Sequence, residues 1–120
     1  VQGSMTVLPR IAEAVAGRAR LILDGGILRG TDVVKALALG ADAVAIGRLT
    51  GLALGAAGED GLTRAVELLG DEIRTTLGLV GARSLAELTP DQVEAAPAVT
   101  EPHVFSALPL LPGRPDRYPG

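Results

Sequence analysis

Apolar positions along this chain change period several times, and each change marks an element. Leu8, Ile11, Ala12, Val15 and Ala16 recur at helical spacing, with Pro9 in a first turn and Gly17 placed to stop the run, so the pattern predicts a helix over 6–17. Residues 19–23 form a short apolar run ending in Asp24-Gly25-Gly26, which predicts a buried strand entering a loop. Thr31 or Asp32 can cap the next helix, whose nearly continuous apolar set Val33, Val34, Ala36, Leu37, Ala38 and Leu39 stops at Gly40. Ala43-Val44-Ala45-Ile46 predicts a second buried strand, ending in Gly47-Arg48. Helix, strand, helix, strand is the rhythm of parallel α/β architecture.

The stretch 51–57 is small and apolar, and beyond it Leu62, Ala65, Val66, Leu69, Ile73, Leu77 and Val80 predict the longest helix, over about 60–80. Gly70 and Gly78 weaken it. Ser84 and Glu87 have capping-box spacing, and Thr89-Pro90-Asp91 can start one more turn. Prolines then accumulate through residues 95–120, which excludes regular structure and predicts an extended tail. Val1-Gln2-Gly3-Ser4 ahead of Met5 reads as the remnant of an expression tag, giving a division into 1–4, a body over 5–94 and the tail.

Composition narrows the function classes. A chain of 120 residues with 48% hydrophobic but 2% aromatic residues builds its core from Ala, Leu, Val and Ile, as close-packed helices on a parallel sheet require. It is too short for a whole eight-unit barrel, which needs roughly 200 residues or more. A net charge of −3 with no basic block argues against nucleic-acid and anionic-membrane partners. No cysteine is present, and the one histidine, His103, has no ligand-spaced neighbour, so no protein metal site is expected. Without a long apolar run or an apparent leader, a cytoplasmic protein is the expectation.

The candidate chemistry lies in the two glycine-bearing turns at the strand ends, about 22 residues apart, where parallel α/β folds place their ligands. Glycines let backbone N–H groups approach phosphate oxygens, a following helix N-terminus adds a favourable dipole, and Arg48 offers a charge-assisted contact. Asp24, Gly25, Gly26, Gly47 and Arg48 therefore read as a phosphate cup. The same glycines also serve as plain turn residues, and Asp24 as a cap for its own turn.

From Leu23 through Asp-Gly-Gly-Ile-Leu-Arg-Gly-Thr-Asp and on to Ala-Val-Ala-Ile-Gly-Arg48, the chain resembles the seventh and eighth strand-helix units of the FMN-dependent α-hydroxy-acid dehydrogenase family. The likeness continues through Gly55-Ala-Ala-Gly58, the long helix and Gly81-Ala-Arg-Ser-Leu-Ala-Glu-Leu88. It implies the C-terminal part of a TIM barrel, FMN as cofactor, and a flavin phosphate held by Asp24, Gly25, Gly26, Gly47 and Arg48. It further implies oxidation of a 2-hydroxy acid by hydride transfer to flavin.

Two departures qualify the implication. Where the family carries two adjacent arginines after the glycine turn, this chain has Leu28 and then Arg29, so Arg29 is the remaining candidate for a second phosphate contact. The family's Ser-Asn-His-Gly-Gly-Arg loop, with its catalytic His and substrate-binding Arg, does not occur in this sequence. Catalysis therefore requires a partner, expected to be a chain carrying the N-terminal part of the barrel in a hetero-oligomer. A non-catalytic half-barrel is one alternative; a different phosphate-binding barrel, of the inosine-monophosphate dehydrogenase, isopentenyl-diphosphate isomerase or glutamate synthase type, is another.

Overall fold

The computed structural model describes residues 2–96. The proline-rich tail from residue 97 onward, with His103, lies outside the described residues, as does Val1 of the tag reading. Five regular elements follow one another: α1 (Ser4–Val15), β1 (Ile22–Asp24), α2 (Gly30–Ala38), β2 (Ala43–Ala45) and α3 (Gly47–Leu79). Two single 3-10 turns follow, Leu85–Glu87 and Pro90–Gln92. The strands pair in parallel with Ile22 opposite Ala43, Leu23 opposite Val44 and Asp24 opposite Ala45. Both therefore end at the same edge, and the two glycine turns emerge side by side.

One face of this sheet is packed and the other is bare. Leu23 points into a core with Leu8, Ile27, Val33, Ala36 and Ala41, and Val44 and Ile73 pack against it. Ile22, one residue earlier and hence on the opposite face, is 69% exposed, and its neighbours Asp24 and Ala43 are exposed as well. A parallel sheet is normally covered on both sides, and among the described residues nothing buries this face.

The boundaries depart from the sequence expectation in ways that have physical causes. Helix α1 starts at Ser4, ahead of the expected residue 6, and its reversal begins at Ala16, in the left-handed region at φ 47°, before continuing through Gly17 at φ 73°. The first strand is shifted from 19–23 to Ile22–Asp24 because only those residues face β2. Upstream of it, the Asp42 carboxylate accepts the Leu21 N–H at 2.8 Å and the Arg20 guanidinium at 2.6 Å, closing the opposite end of the sheet.

Neither Thr31 nor Asp32 precedes α2 as its cap. The helix begins at Gly30, and Asp32, already inside it, reaches back to accept the N–H groups of Leu28 at 3.2 Å and Arg29 at 3.0 Å. The capping box read at Ser84 and Glu87 is also replaced, since Ser84 makes no side-chain cap bond and Glu87 accepts the N–H of Arg83 at 2.9 Å instead. At the last turn the Gln92 side chain does accept the Thr89 N–H, at 2.7 Å.

The largest difference lies in α3. Residues 47–56 are helical, a segment the small apolar run did not announce, and only then comes the helix expected at 60–80. The two are joined at a break where Ala57 has φ −154° and Gly58 has φ 59°, ψ −139°, a conformation that favours glycine. The chain folds back tightly enough there that a Cβ on Gly61 would collide with the Ala53 carbonyl oxygen. No helix among the described residues is long and apolar enough to cross a membrane.

Candidate functional site

At the edge where both strands end, a cleft of about 280 Å³ is lined by Asp24, Gly25, Gly26, Ile27, Leu28, Ala45, Gly47 and Arg48. Complete ligand pockets measure roughly 300–1,000 Å³, so this cleft suits one end of a ligand. Its floor is the parallel pair, and its walls are the two turns. Gly25 at φ 98° and Gly26 at φ 81° make the first turn, and the Gly25 carbonyl accepts the Ser4 hydroxyl at 3.2 Å, which ties that turn to α1. A side chain at Gly26 would be strained by its φ although space is open around it.

The second wall is the start of α3. Thr50 donates its N–H to Ile46 at 2.9 Å, while the N–H groups of Gly47, Arg48 and Leu49, in the first turn, have no carbonyl within the helix to reach. Such a terminus carries a partial positive charge and is suited to an anion. The Arg48 side chain is exposed and forms no ion pair among the described residues. A guanidinium free of carboxylates, beside three unsatisfied N–H groups and a glycine turn, has the donor set of a phosphate site and nothing that would repel one except Asp24.

Five of the six residues singled out from the sequence, Asp24, Gly25, Gly26, Gly47 and Arg48, are thus brought together, whereas Arg29 stands apart. The Arg29 guanidinium is held by Glu72 of α3, through Nε at 2.7 Å and a second nitrogen at 2.5 Å. The other Glu72 oxygen accepts the Gly30 N–H at 2.6 Å. Nothing in the sequence pattern marks Glu72 for a contact with α2. Only the fold-back of α3 brings it to α2, and no local pattern encodes a contact 42 residues away. Leu28, the departure from the expected arginine, lines the cleft and is half-buried.

These contacts shift two carboxyls. The Arg29 guanidinium first, and the Gly30 N–H second, hold Glu72 below the ordinary carboxylate range; the Leu21 N–H first, and Arg20 second, do the same for Asp42. A folded-state value below the unfolded one contributes stability that is complete above the unfolded value, about 4, and is lost as pH falls through the folded value. The α2–α3 contact is therefore expected to loosen only below about pH 4. Amide hydrogen exchange at Gly30 and Leu21 along an acid titration checks this, and loss of protection already at pH 6 would contradict it. Among the described residues no cluster of His, Cys, Asp and Glu could hold a metal ion.

Comparison with known proteins places this geometry. Residues 1–95 match the family model of the FMN-dependent dehydrogenases. A peroxisomal (S)-2-hydroxyacid oxidase of Arabidopsis thaliana is 46% identical over 90 residues, 75% of this chain and 25% of its own length. An L-lactate dehydrogenase of Ectopseudomonas mendocina is 45% identical over 91 residues, 76% of this chain and 24% of its own. Among solved structures, a mandelate oxidase superposes with a TM-score of 0.71 at 42% identity, covering 75% of this chain and 27% of that one. Another mandelate oxidase structure, with a TM-score of 0.69, is a mutant with a monooxide FMN adduct. The chain spans about a quarter of the length of the relatives it matches. With the residue match, the superposition and the anion-suited cleft in agreement, this chain belongs to the FMN-dependent dehydrogenase family, an α/β fold whose cofactor is FMN.

Proposed function

We propose that this chain supplies the FMN-phosphate end of a TIM barrel that oxidises a 2-hydroxy acid by hydride transfer to flavin. It represents about the seventh and eighth strand-helix units. A second chain supplies the earlier strands, the rest of the flavin pocket and the catalytic base, so that the working enzyme is a hetero-oligomer. The observation that carries this reading is the convergence, on one cleft at the C-terminal strand ends, of two open turns with three N–H groups and an Arg48 that have no partner among the described residues.

FMN fits the residues present. Its phosphate suits the start of α3, with Gly47, Arg48 and Leu49 donating N–H groups and Arg48 adding a charge-assisted contact. The Gly25-Gly26 turn lets backbone approach where a side chain would intrude. Asp24 has only acceptors to offer when ionised, so its carboxylate suits a ligand hydroxyl better than the phosphate itself. Bound FMN supplies the hydride acceptor for the α-carbon of the substrate. The hydroxyl proton goes to a base that this sequence does not contain. The chain's own residues anchor and orient the cofactor and leave that chemistry to groups across the barrel.

Leu28 favours a second reading, a half-barrel that binds a phosphate ligand without catalysis, because it removes a cation from the lining. Absorbance of the purified assembly separates the two. The preferred reading expects a flavin spectrum that bleaches anaerobically on adding a small 2-hydroxy acid such as glycolate, lactate or mandelate. A bound flavin indifferent to all three would favour the second reading, and a colourless assembly that takes up no added FMN would end the first. Mass analysis of the same assembly tests whether the remaining strands come from a second chain.

A further inference from the structure

Glu72 lies far along α3 from the cleft, yet every polar contact it makes outside its own helix is to Arg29 and Gly30, the two residues that directly follow the lining residue Leu28. We propose that Glu72 is a positioning residue for the phosphate cup, fixing the wall that Leu28 contributes without touching the ligand. The proposal rests on the phosphate reading of the cleft. Three consecutive N–H groups leave the glycine turn at residues 28, 29 and 30, and each ends on a carboxylate: Asp32 accepts from Leu28 and Arg29, and Glu72 accepts from Gly30. The N–H groups that lead into α2 are therefore satisfied from within the protein through Gly30, and the start of α3 offers a ligand anion donors of its own.

The backbone makes this contact tight. A Cβ on Gly30 would lie 2.6 Å from the backbone nitrogen of Ile73 and would overlap the Glu72 side chain, so α2 begins directly against α3. The Glu72 side chain, 29% exposed, adds the Gly30 bond and the two Arg29 contacts at that point of approach. One helix thus bears on both sides of the cleft, since its first turn carries Gly47 and Arg48 and its far segment holds Arg29 and Gly30, which directly follow Leu28 of the other wall. The separation of those walls depends on Glu72 as well as on the fold-back at Ala57 and Gly58.

The test uses the assembled protein titrated with FMN and with riboflavin, which lacks the phosphate, together with a melting temperature for each variant. Glu72→Ala is expected to reduce the preference for FMN over riboflavin roughly tenfold, because the cup loses its geometry while the rest of the flavin pocket is untouched. Glu72→Gln keeps an acceptor for the Gly30 N–H and should restore part of that preference. A lower melting temperature with an unchanged preference would mean that Glu72 only stabilises the fold, and the proposal falls. Should Glu72→Ala fail to fold, Glu72→Gln decides, since a preference equal to the parent's overturns the role. Arg48→Ala in the same series separates the two ideas. If the parent shows no preference for FMN and Arg48→Ala changes nothing, the phosphate reading fails; if only the Glu72 variants are silent, the positioning role alone fails.

Discussion

Arg48→Ala in the assembled protein is expected to weaken FMN binding by roughly ten- to a hundredfold, the equivalent of about 1.5–3 kcal/mol for one charge-assisted hydrogen-bonded contact. The size follows from the isolation of this guanidinium. Arg29, the other cation near the turn, is held by Glu72, and among the described residues no further basic side chain lines the cleft. Retained flavin after extensive dialysis, and fluorescence titration for the affinity, measure the loss; unchanged retention would remove Arg48 from the phosphate. Leu28→Arg probes the same deficit from the other side. A second guanidinium in the lining should tighten FMN, with a gain that shrinks as salt rises. If Leu28 instead packs against the completing strands, the substitution buries an unpaired charge and the assembly should come apart, which mass measurement detects.

The second large effect concerns the 120-residue chain on its own. Its sheet has two strands of three residues each, too little for independent stability by strand pairing alone. The unpacked face leaves Ile22 69% exposed, and burying an isoleucine contributes about 1.5–3 kcal/mol that this chain by itself does not gain. Among the described residues no further strand pairs with either outer edge, and unpaired edges are templates for association. Residues 1–120 expressed alone are therefore expected to aggregate or to melt without a cooperative transition. Sedimentation analysis and a thermal melt followed by circular dichroism check this, and a monodisperse monomer with a sharp transition would refute it.

Much of this architecture was legible in the pattern of residues, because its determinants are local. The alternation of short apolar runs with helical periodicity located both strands and the body of every long helix, and the two glycine turns announced the cleft from their spacing alone. What escaped was set by contacts distant in sequence. The segment 47–56 is rich in Gly and Ala and lacks a strong apolar period, so its helicity depends on packing against its own continuation beyond Gly58. Arg29 was a ligand candidate because the family resemblance matches it to the second of two adjacent arginines; Glu72, 43 positions later, holds it. Asp32 was recognised as a capping residue but misplaced, since a carboxylate can serve the same N–H groups from inside the first turn as well as from before it.

The parallel strands are adjacent in the chain as well as in space, bridged by a single nine-residue helix. Loop-closure entropy rises with the logarithm of the intervening length, so joining two strands this near in sequence costs little. In kinetic terms the two halves of the cleft meet early, in a unit of low contact order. A substitution that weakens the pairing of Leu23 with Val44 should consequently slow folding, whereas one on the bare face at Ile22 should mainly hasten unfolding.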